Sequence, residues 1–238
     1  DTITAGNLCG LTIEAAQRGV IEEDIQYGDT DKIALLIQKI ADRKDIGDLL
    51  ARGIKHAAKA WKLEGLAIHV KGMEPAGYDP RVLKGMGLTY GTSPRGACHL
   101  RTTFYKPELS GIIPPETLEG KAELLIDYED RLNIFDTSVL CRFYRDLYSW
   151  DELEELMYCV TGLSCKKDNL IKIAGNISTM TRRFNIREGF EKQDDRLPAR
   201  LHKEALPSGQ KLTSEEMEQM LEEYYALRGW SKQGSPAE

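Results

Sequence analysis

Apolar residues recur at helical spacing along most of the chain. Leu8, Leu11, Ile13, Ala16 and Val20 form a loose stripe, with Asn7 placed to cap it and Gly19 to end it, so a helix is predicted from Asn7 to about Arg18. Thr30 caps a second stripe of Ile33, Leu36, Ile37 and Ile40. After the Asp45-Ile46-Gly47 corner a third carries Leu49, Leu50, Ile54, Ala57, Ala58 and Trp61. Leu66-Ala67-Ile68-His69-Val70 is the best candidate for a short strand. Farther on, Pro114-Pro115-Glu116-Thr117 is expected to open a helix with Leu118, Ala122, Leu125, Tyr128 and Leu132 on one face. Asp151 starts another with Leu153, Leu156, Met157 and Val160 inward, and Leu170, Ile173, Ile177 and Met180 mark a longer one. Thr213-Ser214-Glu215-Glu216 is a capping box ahead of Met217, Met220, Leu221 and Tyr224. The pattern predicts a mainly α, multi-helical protein with little β structure. The polar stretch from Gln193 to Gln210 reads as a surface excursion, and the tail from Ser231 to Glu238 as frayed.

The periodicity fails between Val70 and Arg101. Pro75 and Pro80, with Gly72, Gly77, Gly85, Gly87 and Gly91, break any 3.6-residue period, so this stretch is predicted to be mostly loop. It also holds Tyr78, Arg81, Arg95, Cys98, His99 and Arg101. Irregular backbone on a rigid scaffold is where binding and catalytic groups concentrate.

Composition narrows the function classes. The 238 residues are 41% hydrophobic and 29% charged, with a net charge of −6. That mild acidity argues against a nucleic-acid surface, which needs a clustered positive face. No apolar run approaches the roughly 20 residues that span a bilayer, so no membrane is expected. The chain opens on Asp1 without a basic-then-apolar leader and reads as a cut through a longer protein. Cys9, Cys98, Cys141, Cys159 and Cys165 are scattered and form no C-x-x-C pair, which fits a reducing cytoplasm. They also lack the clustering of a complete zinc or iron–sulfur site.

Several residue types could carry chemistry, each with a plainer alternative. His99 could act as general acid or proton shuttle, or simply bond a backbone carbonyl. Tyr78 could donate to a substrate oxygen, or pack. Arg95 and Arg101 could clamp a phosphate in a bidentate fork. Asp136 stands near the end of a long amphipathic helix, five residues before the Cys141 thiol. An aspartate accepts from amino groups and a thiolate binds soft iron; otherwise the pair is a helix cap and a small buried hydrophobe.

Four strings taken together resemble the tungsten-dependent aldehyde ferredoxin oxidoreductase family. They are Val70 to Arg81, Gly87 to His99, Asp136 to Cys141 and Arg183-Phe184-Asn185-Ile186-Arg187-Glu188-Gly189. They occur in the family's order and spacing. The likeness extends from Asp1-Thr2-Ile3-Thr4-Ala5-Gly6-Asn7 to Glu223-Tyr224-Tyr225 and Arg228-Gly229-Trp230.

The resemblance implies the helical carboxy-terminal domains of a large enzyme whose amino-terminal domain is absent. The remainder of the middle helical domain would occupy residues 1–82 and the carboxy-terminal helical domain 83–238. It implies a tungsten bis-pyranopterin (molybdopterin) cofactor beside a [4Fe–4S] cluster, with aldehydes oxidised to carboxylates and electrons passed to ferredoxin. By position His99 resembles the family's active-site histidine and Tyr78 its active-site tyrosine. Arg95, Gly96 and Arg101 fall in the stretch that contacts the cofactor. Asp136, Leu140 and Cys141 resemble the second pterin motif, whose cysteine is the fourth cluster ligand, and Asp1 the last residue of the first.

Val139 departs from the pattern, standing where a glycine is usual. The other cluster cysteines and the family's catalytic glutamate would lie upstream. The isolated fragment is therefore expected to hold neither cofactor and to be inactive, while the full-length protein would form a homo-oligomer. An alternative is the tungsten subunit of a class II benzoyl-CoA reductase-like enzyme, with Cys9 as a tungsten ligand. Another is a non-catalytic helical binding module.

Overall fold

The computed structural model describes residues 1–237. Eleven α-helices account for its regular structure: α1 (Thr2–Gln17), α2 (Thr30–Asp42), α3 (Ile46–Leu50), α4 (Ile54–Trp61), α5 (Lys84–Thr92), α6 (Tyr105–Leu109), α7 (Lys121–Thr137), α8 (Trp150–Thr161), α9 (Lys167–Arg187), α10 (Ala199–Lys203) and α11 (Ser214–Leu227). Short 3-10 turns fill Arg142–Tyr144 and Lys192–Asp195. Among the described residues, the β-bridges outside the helices are the isolated antiparallel pairs Val70–Met73 and Trp230–Pro236. The fold is mainly α. No described helix is long and apolar enough to cross a membrane.

Three apolar clusters organise these helices. Leu8, Leu11, Ile13, Leu36, Leu50, Ile54 and Ala57 bind α1 to α4. Met86, Leu88, Tyr90, Phe104, Leu125, Leu212 and Leu221 join α5 and α6 to α7 and α11. Leu132, Phe135, Leu153 and Leu170 seat α8 and α9 against the far half of α7.

Local chemistry sets several boundaries differently from the periodicity. Helix α1 begins at Thr2 because the Asp1 carboxylate accepts the Ile3 N–H at 2.8 Å. Asn7 lies inside the helix and donates to the Ile3 carbonyl. The Leu66–Val70 strand does not form, and only Val70 pairs, across a tight turn, with Met73. Helix α7 starts at Lys121, not at Pro114. The Lys121 ammonium is drawn into the interior onto Glu108 Oε1 at 2.6 Å and the Pro114 carbonyl at 3.0 Å. The Thr213–Glu216 capping box forms as read, with the Glu216 N–H donating to Thr213 Oγ1 at 3.1 Å.

Inside the stretch expected to be loop, α5 is a regular helix despite three glycines. The absence of Cβ is what lets it be buried. A methyl at Gly85 would lie 2.2 Å from the Phe104 ring, and one at Gly91 would lie 2.5 Å from the Asp195 carbonyl oxygen. Close packing here outweighs the glycine penalty of roughly 1 kcal/mol per helical residue.

The Gln193–Gln210 excursion is partly interior: Leu197 and Leu201 join the second cluster and Asp195 is buried. Val160 and Met180, expected inward, are exposed, and Ile173 is partly so. The tail is tied down as well, since Arg182 donates to the Gly234 carbonyl at 2.8 Å and Arg183 to that of Ala237 at 2.5 Å. Glu238 lies outside the described residues.

Candidate functional site

The site is built around the Val70–Met73 turn. Val70 and Met73 exchange both backbone hydrogen bonds at 3.0 Å, and Lys71 and Gly72 adopt φ of 54° and 90°. Two positive φ values in succession define a tight hairpin corner. The Lys71 side chain runs inward, placing its ammonium 2.8 Å from Asp195 Oδ1 and 2.5 Å from the Gly91 carbonyl. Asp195 also pairs with Arg182 at 2.8 Å and accepts from the Tyr225 hydroxyl at 2.5 Å. Burial lowers the Lys71 pKa and the Asp195 carboxylate opposes that shift. The turn is thus anchored to the carboxy-terminal helices.

Gly96 packs against this turn. Its φ is 114°, and a Cβ there would lie 2.4 Å from the Val70 oxygen, so only glycine fits. The tight approach orients the next residues. Arg95 Nη2 lies 2.8 Å from Cys98 Sγ, and His99 projects into a cavity of about 500 Å³. Asp1, Thr4, Lys71, Glu74 and Arg95 line the same cavity. Burial, with a smaller contribution from the Arg95 charge, lowers the His99 pKa, so the imidazole is neutral at pH 7.

Tyr78 and His99 come together from opposite ends of the irregular stretch, with ring centroids 5.9 Å apart. Tyr105 is the residue that motif reading missed. Its ring stacks on that of Tyr78 at 4.1 Å and 5°, and its centroid is 6.4 Å from that of His99. Burial first, and then the Tyr105 hydroxyl, raise the Tyr78 pKa, so its phenol remains protonated as a hydrogen-bond donor.

A second group of residues lies across the end of α7. Arg101 Nη1 is 2.9 Å from Asp136 Oδ2, and Arg142 Nε is 2.9 Å from Asp136 Oδ1. Arg101 and Asp136 line a smaller cavity of about 190 Å³ with Glu129, Asn133, Arg182 and Tyr224. Helix α7 ends in a Schellman turn, where the Leu140 N–H donates to the Phe135 carbonyl at 2.8 Å. Val139 takes the left-handed position, φ 57°, and is exposed. Leu140 packs on the third cluster and leaves Cys141 exposed.

The residues read from sequence therefore form two neighbouring sets. Asp1, Arg95 and His99 share one cavity with Tyr78 beside His99, and Arg101, Asp136, Leu140 and Cys141 gather at the end of α7. Cys9 belongs to neither. It is buried in the first cluster, and burial raises its thiol pKa. No three His, Cys, Asp or Glu side chains among the described residues are grouped to hold a metal ion.

The donor set still suits part of a cofactor site. Guanidinium forks match phosphate oxygens and an aspartate matches amino donors, with Arg101 and Asp136 paired to each other here and having to part to serve in that way; an exposed thiol past a helix end suits one iron ligand. One thiol by itself holds no iron–sulfur cluster, and no set of further ligands is grouped with Cys141 among the described residues.

Comparison with known proteins agrees with this reading of the fold. Residues 1–238 match the family described as aldehyde ferredoxin oxidoreductase, domains 2 and 3. The tungsten-containing aldehyde ferredoxin oxidoreductases of Pyrococcus furiosus and Thermococcus kodakarensis are each 31% identical over 98% of this chain. The chain spans 41% of the length of either relative. Among solved structures, the active site complex BamBC of benzoyl coenzyme A reductase in complex with 1,5-dienoyl-CoA superposes with a TM-score of 0.73. The superposition covers 100% of this chain and 42% of that one, at 19% identity. The protein is thus a member of an oxidoreductase class. Its family is aldehyde ferredoxin oxidoreductase, and the chain belongs to it through the helical domains 2 and 3.

Proposed function

We propose that this chain forms one wall of the catalytic site of an enzyme that oxidises aldehydes to carboxylic acids, in keeping with the aldehyde oxidoreductase name of its relatives. The observation that supports this most is the neutral His99 imidazole in a cavity beside the protonated Tyr78 phenol. A tungsten pterin, when bound, would supply the two-electron redox chemistry. The chain's own residues bind, orient and manage protons. Tyr78 donates a hydrogen bond to the aldehyde oxygen, and neutral His99 donates to the same oxygen or takes up one of the two protons released when water supplies the second oxygen of the acid and two electrons leave to the cofactor.

Arg95 and Arg101 would hold cofactor phosphates and Asp136 the amino edge of a pterin, with Asp1 and Gly96 shaping the approach. Cys141, seated by Leu140, would serve as one ligand of a [4Fe–4S] cluster that passes electrons to ferredoxin. The other ligands are proposed to come from the part of the protein this chain does not span, in a cytoplasmic homo-oligomer. A Cys141→Ser variant of the full-length protein should lose cluster iron while keeping its helical content by circular dichroism. Unchanged iron would remove Cys141 from the ligand set.

The fold shared with the benzoyl coenzyme A reductase complex makes an aromatic-ring reductase the second reading. Metal-edge spectroscopy of the full-length protein with and without Cys9→Ala separates the two. Loss of one sulfur ligand favours the reductase, and an unchanged sulfur count fits the buried packing of Cys9.

A further inference from the structure

Tyr105 stands at the start of α6, a five-residue helix held by buried neighbours on its inner side. Phe104, fully buried, meets the Tyr128 ring edge-on at 6.2 Å and fills the space over Gly85. Pro107 is buried, and Glu108 accepts both the Lys121 ammonium at 2.6 Å and the Gly85 N–H at 2.8 Å. The Tyr105 backbone therefore has little freedom. Aromatic pairs left to themselves prefer offset or edge contacts with centroids roughly 4.5–7 Å apart. The Tyr78 ring lies parallel to that of Tyr105 with centroids 4.1 Å apart, so the plane of one ring follows that of the other.

The other constraints converge on Tyr78. Its backbone carbonyl accepts the Tyr90 hydroxyl of α5 at 3.2 Å. Behind Tyr105, Arg145 Nη2 reaches the Tyr105 oxygen at 3.4 Å, while Arg145 Nη1 donates to the Arg142 carbonyl at 2.7 Å. One face of the Tyr78 ring is closed by Tyr105, and His99 lies within 5.9 Å of its centroid.

We propose that Tyr105 is a positioning residue. Its ring, set by α6 and steadied by Arg145, fixes the plane of the Tyr78 phenol so that the hydroxyl is presented beside His99 to an aldehyde oxygen. This rests on the aldehyde-oxidising role proposed for the site. The groups facing the Tyr78 phenol are His99, Tyr105 and Arg145, while Tyr90 of α5 holds the Tyr78 backbone carbonyl.

Two variants separate the ring from its hydroxyl. In the chain labelled with ¹³Cζ-tyrosine, and with the Tyr78 resonance identified by Tyr78→Phe, Tyr105→Leu should move that resonance and lower its alkaline titration midpoint. Tyr105→Phe should keep the resonance near its wild-type position while still lowering the midpoint. In the full-length enzyme, Tyr105→Leu should lower kcat/KM for aldehydes by on the order of 10²-fold, mainly through kcat, as expected when a reacting geometry slips by about 1 Å. Tyr105→Phe should restore most of it. A Tyr78 resonance and midpoint unchanged in both variants would overturn the assignment, as would wild-type turnover in Tyr105→Leu. If the wild-type enzyme does not turn over aldehydes at all, the proposed function fails, while the resonance measurement still decides the role of Tyr105.

Discussion

The Lys71 ammonium lies 2.8 Å from the Asp195 carboxylate, with both side chains 1% exposed. The contact fastens the turn that faces the His99 cavity to the 3-10 turn before α10. Removing one member of a buried pair strands the other, at a typical cost of 3–5 kcal/mol. Asp195→Ala strands both Lys71 and Arg182 and should destabilise the chain by roughly that amount. Lys71→Met leaves Asp195 with Arg182 and Tyr225 and should cost less. Urea unfolding of the two variants tests the order, and equal losses would contradict the hub role given to Asp195.

Gly96→Ala combines a φ of 114° with a Cβ placed 2.4 Å from the Val70 oxygen. The loss should be at least about 2 kcal/mol, and the His99 resonances should move because the turn is pushed away. A variant that keeps wild-type stability and His99 shifts would show that the close approach is not needed.

Val139→Gly runs the other way. The valine is β-branched, exposed and left-handed at φ 57°, at a helix end where glycine is favoured. Relief of that strain outweighs the added chain entropy of glycine, so the variant should gain roughly 0.5–1 kcal/mol. A lowered melting temperature would contradict this.

Asp130, buried beside Glu129, has its pKa pushed up to about 6 by desolvation, against the opposing pull of Arg228. The folded state therefore holds this proton more tightly than the unfolded chain. Its contribution is complete below the ordinary carboxyl value of 3.8 and is lost as pH rises through about 6. Asp130→Asn should flatten the decline in stability between pH 4 and 7, measured by denaturant titration across that range. An unaltered slope would remove Asp130 as its source.

How much of this was legible in the residues depends on the range of the forces involved. Helices with local signals were readable: Thr213 and Glu216 cap α11 within one turn, and the spacing from Leu170 marked α9 as a helix, though its buried face runs through Leu170, Ala174 and Ser178 and leaves Met180 exposed. Asp1 was read only as a cofactor contact, although its carboxylate also starts α1. Helix α5 was hidden because Gly85, Gly87 and Gly91 lower helix propensity, and the partners that favour them, Phe104, Leu212 and Asp195, are distant in sequence. Asp195 looked like surface for the same reason: its partners Lys71, Arg182 and Tyr225 arrive from three other segments. His99 and Tyr78 were found through their motif strings. Tyr105 lies just beyond the last of the motif residues around His99, and its role emerges only from the stack with Tyr78.

His99 is proposed to face the reacting aldehyde in the intact enzyme. The most direct measurement compares His99→Asn with wild type in the full-length, tungsten-loaded protein, following aldehyde oxidation by ferredoxin reduction alongside tungsten content. Loss of a general acid–base group should cut turnover by on the order of 10²–10⁴-fold with tungsten retained. Turnover equal to wild type would remove His99 from the reaction.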